Sequence, residues 1–340
     1  MKKKIVFCVL ALFLTLCIGG LYLYKILMTS NVETKEPQYL LIYPGQGYDS
    51  ILDNLKETGT IKDFNSFKLI ANFSGYKDKI HTGRYELTNG LSNLRLIQKL
   101  IYGRQTPVRF TFNNIRTKDQ FAEKVSEKLM MSKEDFINAL DSEETLKEYN
   151  LTKENNLVIF LPNTYEFYWD ITPKNFLSKM KKEYDKFWTD ERLSKLNECG
   201  LSQIEASILA SIVEEETIKN DERPKVAGLY INRLKIGMLL QADPTVKFAL
   251  GDFSLKRVSG GFNQIDSPYN TYKYQGLPPG PIRIPSEGGI DAVLNYEHHN
   301  YLFMCAKRDF SGYHDFTTTF GEHQNNARQY HKKLDKIGIK

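Results

Sequence analysis

The stretch Ile204–Thr217, IEASILASIVEEET, decides how the chain is read. Wound at about 100° per residue, it gathers Ile204, Ile208, Leu209, Ile212 and Val213 into one apolar arc. Glu216 falls inside that arc, one turn beyond Ile212, whereas Glu214 points to the opposite side and Glu215 lies at the edge. One of three adjacent carboxyls is therefore expected to face the interior. A carboxyl that loses hydration has its pKa raised, and a Glu still protonated near neutral pH can hand a proton to a leaving group. A helix end whose acids are all solvated fits the same residues, and this stretch alone does not choose. Ser202 and Glu205 have the S-x-x-E spacing of a capping box, which gives Glu205 work at the helix start.

Working downstream, Pro224 suits the first turn of a second helix, VAGLYINRLKIG, ending at Gly237. Asp243-Pro244 opens a third, with Asp243 as N-cap and Gly251 as the stop. The proline-rich run Ser267–Gly289 should hold a rigid loop beside a groove. Tyr301–Ala306, YLFMCA, reads as a strand, and a basic helix closes the chain. Upstream, strand–turn–helix units recur: Tyr39–Tyr43 with Tyr48–Glu57, Arg84–Leu87 with Leu94–Ile101, and Val108–Phe112 with Phe121–Leu129. Their spacing is too irregular for a solenoid. From Ser132 to about Lys195 the chain is charged and helical in pattern, broken by the aromatic run Val158–Trp169. Those rings fit a buried segment or a sugar-stacking platform, with Tyr165 and Trp169 the candidates for exposure.

The N-terminus has its own logic. Lys2, Lys3 and Lys4 precede an uncharged run, Ile5–Tyr24, and Lys25 follows. About twenty apolar residues match a bilayer core, and the lysines should stay on the cytoplasmic side. No small-residue cleavage site follows, so a retained anchor is expected rather than a signal peptide. Residues Thr29–Pro37 lack apolar periodicity and read as a tether. Net charge is only +5, from 46 basic and 41 acidic residues, which argues against a nucleic-acid partner. Of four cysteines, Cys8 and Cys17 lie in the span; Cys199 and Cys305 fit a disulfide or two unpaired thiols equally.

Several chemistries lack their motifs. There is no H-E-x-x-H, G-x-S-x-G or P-loop, and Glu297-His298-His299 is not a metal-ligand spacing. His314 and His323 line a cleft or bond locally. No cofactor and no metal is expected. Carboxylate chemistry on an exported substrate remains, which suits glycan cleavage.

The run ASILASIVEEET, then VAGLYINRLKIGMLLQADPTVKFALG, SPYNTY and GLPPGPI, resembles the endolytic murein transglycosylase (YceG-like) family over nearly the whole chain. The resemblance implies an α+β fold in a set order. A cytoplasmic tail (1–4) leads into a transmembrane helix (5–25), a tether (26–38) and a small LysM-like α/β subdomain (39–105). A connecting helical and aromatic region (106–200) and a mixed α+β catalytic domain (201–340) follow. It implies Glu216 as catalytic acid, in agreement with the helical wheel. Gln241, Asp243, Thr245, Tyr269, Asn270 and Tyr272 match family motifs and are candidates for positioning the sugar, each with a structural alternative. Two departures stand out: Glu215 where a lysine is common, which should raise the Glu216 pKa further, and Asn163 where the family usually has Asp.

The implied reaction is lytic. It would cut the bond between N-acetylmuramic acid and N-acetylglucosamine in nascent strands, with a 1,6-anhydro end as product. The implied partners are peptidoglycan glycan strands, the inner membrane crossed once, and peptidoglycan synthases, with the C-terminal domain extracytoplasmic. A hydrolase with Asp243 or Asp266 as second carboxylate, and a membrane-anchored glycan-binding protein without catalysis, are the competing readings.

Overall fold

The computed structural model describes residues 2–255, 261 and 264–336. Met1 of the expected tail, and residues 256–260, 262–263 and 337–340 of the expected catalytic domain, lie outside the described residues. Among the described residues the architecture is mixed α+β, with fourteen α-helices and three two-stranded sheets. The chain divides into two compact units, 1–110 with 128–130 and 166–171, and the remainder.

In the first unit, α1 (Lys2–Met28) is long and apolar enough to cross a membrane, and Ile26 is its one buried residue. At about 1.5 Å per residue, its 27 residues exceed a bilayer's hydrocarbon thickness. β1 (Gln38–Ile42) pairs antiparallel with β2 (Gly83–Leu87), Leu40 opposite Tyr85. Between them run α2 (Tyr48–Glu57) and α3 (Phe64–Phe73), and α4 (Asn93–Ile101) follows. The α3 helix was hidden from the strand–turn–helix reading. Their apolar faces close over one core containing Leu40, Ile42, Leu55, Phe67, Tyr85 and Leu96.

The expected free tether over 26–38 is instead packed. Ile26 and Val32 join that core, and Ser30 and Val32 bridge to Ser92 and Ile61. Asn93 donates to the Ile26 carbonyl (2.9 Å) and to Ser66 Oγ (2.9 Å), and accepts from Asn31 (2.7 Å). Asn31 in turn bonds both the carbonyl and the N–H of Asp63. Its polar residues lack apolar periodicity because they join α1 to the helix starts by hydrogen bonds.

A second sheet pairs β3 (Val108–Thr111) with β4 (Thr164–Phe167). In the second unit, α5 (Lys118–Lys128), α6 (Lys133–Leu140), α7 (Glu143–Tyr149), α8 (Pro173–Phe187) and α9 (Asp190–Cys199) precede α10 (Gln203–Glu216). Phe121 meets Phe160 at 4.6 Å and Phe136 at 5.4 Å between centroids, and Phe136 meets Phe176 edge-on. The aromatic run is therefore core. Tyr165 and Trp169 are both buried, contrary to the expected exposure, and Tyr168 is the ring that faces solvent. A strand's alternation sends neighbouring side chains to opposite faces, which a count of aromatic residues does not show.

The helix α10 is the centre of this unit. α11 (Arg223–Lys235), α12 (Asp243–Leu250) and α13 (Glu287–Leu294) all pack on it, and every residue from Ala206 to Glu214 is buried. A helix covered on all sides has no solvent face, so the single-arc reading is corrected. Ser202 and Glu205 do form the reciprocal capping box at its start. Beyond it, β5 (Phe303–Ala306) pairs antiparallel with β6 (His314–Thr317), and α14 (Phe320–Lys336) packs on both strands. Cys199 and Cys305 are both free thiols.

Candidate active site

The end of α10 places three carboxyls in three environments. Glu214, expected on a solvent side, is buried. It accepts from the Ser286 N–H at 3.0 Å and the Ser286 hydroxyl, and pairs with Arg223 (3.2 Å) and Arg283 (3.7 Å). Gly289 is needed beside it, since a Cβ there would stand 2.6 Å from the Glu214 carboxyl carbon. Glu215 is held by Arg116 at 2.9 Å and Arg283 at 3.0 Å. Two neutralising guanidiniums leave Glu215 little field to impose on its neighbour. The expectation that it raises the Glu216 pKa is corrected.

Glu216 faces a cavity of about 360 Å³ walled by α11, the start of α12, β5, β6 and α14. Burial pushes its carboxyl up to about 7, and the Asp243 charge adds to the rise. Opposing them are a hydrogen bond from Tyr230 and the positive fields of His314 and Lys247. The Tyr230 hydroxyl donates to Glu216 Oε1 at 2.6 Å from a fully packed ring. Its own pKa is driven well up by burial, then by the Glu216 charge, so it stays a donor.

The six expected sugar-positioning residues divide evenly. Gln241, Asp243 and Tyr272 line the cavity with Glu216. Asp243 was expected as an N-cap; Ala242 takes that place and Asp243 is the first helical residue, its Oδ1 accepting from the Tyr272 hydroxyl at 2.5 Å. Gln241 holds a left-handed φ of 51°, its N–H bonded to the Thr271 carbonyl. Such backbone is sparsely populated by residues with a Cβ and persists where surrounding contacts impose it. Thr245, Tyr269 and Asn270 lie outside the lining. Buried Thr245 bonds the Ala242 carbonyl (2.7 Å) and the Thr271 hydroxyl (2.8 Å). Asn270 donates to Ile265 and accepts from the Tyr272 N–H. Tyr269 packs on Phe248. These three frame the loop that presents Asp243 and Tyr272. Asp266 also lies away from the cavity, bonded to Lys273 and Tyr274.

The profile of the YceG-like family matches residues 40–329. The chain belongs to the YceG-like family. Among its relatives, a Bacillus subtilis (strain 168) protein named endolytic murein transglycosylase is 30% identical over 332 residues, covering 93% of this chain and 91% of its own. A Streptococcus pneumoniae (strain R6) protein of the same name is 27% identical over 339 residues, covering 89% of this chain and 61% of its own. The chain thus spans about three-fifths of that relative's length. A 2.6 Å crystal structure of a yceG-like protein from Listeria monocytogenes shares 27% identity and a TM-score of 0.56, over 86% of this chain and 99% of that one.

In this YceG-like chain, the cavity residues Tyr230 and Arg233 escaped sequence reasoning, whereas His314 and His323, expected to line a cleft or bond locally, are in the lining. Tyr230 sat unremarked in an apolar helix; a hydroxyl-bearing ring one face away from charged positions was the available signal. Arg233 is nearly buried and donates to the Leu302 and Leu240 carbonyls, closing the cavity floor with a cation. His314 is clamped by buried Glu222, which accepts both its backbone N–H (2.7 Å) and its ring Nδ1 (2.9 Å). His323 lies across the lining, its pKa held down by burial and by the Arg233 charge.

Proposed function

We propose that this chain is an endolytic murein transglycosylase in which Glu216 serves as acid and then base. The observation that supports it is one carboxyl, titrating at about 7, facing a cavity with Tyr230 bonded to it. Protonated Glu216 gives its proton to the oxygen between N-acetylmuramic acid and N-acetylglucosamine, and that bond to the anomeric carbon breaks. The carboxylate so formed, stabilised by the Tyr230 hydroxyl, takes the proton of the muramyl C6 hydroxyl. That oxygen bonds the anomeric carbon and closes a 1,6-anhydro ring. No water is consumed, and Glu216 ends as it began. Gln241, Asp243 and Tyr272 position the sugar; Thr245, Tyr269 and Asn270 act behind them.

In this reading α1 anchors the protein once in the cytoplasmic membrane, Lys2–Lys4 inside, with the following units outside and near the synthases that extrude new strands. The order β1–α2–α3–β2 supports a LysM-like subdomain over 39–105, with the connecting region and catalytic domain after it. Asp243 shares the cavity with Glu216 and so keeps one second reading alive, a hydrolase using both carboxyls.

Product ends decide. Uncrosslinked glycan strands incubated with the full chain in detergent, followed by mass spectrometry, should yield anhydro ends that Glu216→Gln abolishes. Reducing ends would mean the hydrolase, and intact strands would refute both.

A further inference from the structure

The β5–β6 sheet has two edges with different fates. Lys307 N–H bonds the Tyr313 carbonyl at 2.8 Å just beyond the paired register in which Ala306 faces His314. In an antiparallel ladder, bonded and non-bonded pairs alternate. Ala306–His314 is therefore a non-bonded pair, whose N–H and C=O groups point away from the partner strand. The outward N–H of His314 is accordingly taken by Glu222. That edge of the sheet is occupied at His314.

The other edge is open. By the same alternation, the amides of Met304 and Ala306 point away from β6, and β6 is the one strand paired with β5 among the described residues. Neither residue has a backbone hydrogen bond on that side among the described residues. Phe303, Met304, Cys305 and Ala306 all line the Glu216 cavity, and all four are half-buried. A strand edge of unpaired donors and acceptors is a template for an added extended peptide. Here it forms the wall of a cavity proposed to hold a glycan whose muramic acid carries a short peptide. Lys307 and Arg308 follow directly on the strand, so its end carries two cations, Lys307 over the Tyr313 ring and Arg308 bonded to Gln329.

We propose that the open edge of β5 binds the stem peptide of the murein strand as an added β-strand, through the main-chain groups of Met304 and Ala306. The inference rests on the transglycosylase reading and deepens it: the enzyme selects strands by their peptides as well as by their sugars.

The test compares cleavage of peptide-bearing strands with strands stripped of peptide by an amidase. Two main-chain bonds should give the parent at least about a tenfold preference in kcat/KM for the peptide-bearing form. Ala306→Pro removes the outward N–H without removing a bond to β6, and should bring that ratio close to one. Because the readout is a ratio, a general loss of activity leaves it interpretable. A second measurement needs no variant: the free stem tripeptide should inhibit cleavage by the parent protein, and its backbone N-methylated form should inhibit at least about tenfold less. A parent ratio of one, or equal inhibition by the two peptides, overturns the inference while leaving the transglycosylase reading intact. A parent that cleaves neither substrate overturns both.

Discussion

Replacing Glu216 by Gln should stabilise the protein, increasingly as pH rises from 4.5 to about 7. The native carboxyl titrates at about 7, against an ordinary value of 4.5. The folded state thus binds this proton more tightly than the unfolded chain, so stability falls as pH rises from the unfolded value to the folded one. Below 4.5 the group costs nothing; above about 7 the full penalty of holding a desolvated anion is present. At about 1.4 kcal/mol for each pH unit, that penalty is at most about 3.5 kcal/mol. Solvent reaching the cavity reduces it to roughly 2 kcal/mol. Gln keeps an acceptor for the Tyr230 hydroxyl but carries no charge to desolvate. For a unit of this size, the gain corresponds to roughly 4–8 °C in the melting of the second unit at pH 8, shrinking to about a degree or two at pH 5. Differential scanning calorimetry of parent and variant in the same detergent, at both pH values, measures it. A variant equally shifted at the two pH values, or destabilised at both, would refute the reasoning that burial raises this carboxyl.

Three further outcomes follow from other contacts. Tyr230→Phe removes a bond that favours ionised Glu216, so the descending limb of the pH–rate profile should move to higher pH. The maximum rate on glycan strands should drop by about tenfold. Arg283→Ala strips a shared partner from Glu214 and Glu215; leaving two poorly compensated carboxylates should cost about 3–5 kcal/mol, read from urea denaturation. Asn93→Ala leaves the Ile26 carbonyl without its side-chain donor and removes one of the bonds of Asn31, so limited proteolysis should cut within residues 29–37 in the variant while sparing the parent.

The sequence made the helices legible because capping and stop signals are local. Ser202 with Glu205, Pro224, and Gly251 mark the bounds of α10, α11 and α12 as observed. The direction of Glu216 was not legible from the wheel, because the helix is covered on every side and Glu214, placed opposite, is the more buried acid. Nor were the surroundings of Glu214 and Glu215. A wheel separates faces of one helix, but Arg116, Arg223 and Arg283 arrive from distant parts of the chain, and only their arrival makes an interior position tolerable for a charge. The same limit separated Gln241, Asp243 and Tyr272 from Thr245, Tyr269 and Asn270. All six belong to the same motifs, and motif membership does not distinguish a side chain that faces a cavity from one that braces the loop behind it.

The hydrogen-bonded join between α1 and its unit has a mechanical consequence. A slack linker would let the membrane helix lean without moving anything above it. Here the last turn of α1 and the starts of α3 and α4 share Asn31, Ser66 and Asn93, so a change in lean becomes a rotation of the whole first unit. A helix longer than its bilayer is thick leans further as the bilayer thins. With α1 embedded as proposed, the first unit's attitude is thereby tied to local membrane thickness, as a mast is to the deck that holds its foot.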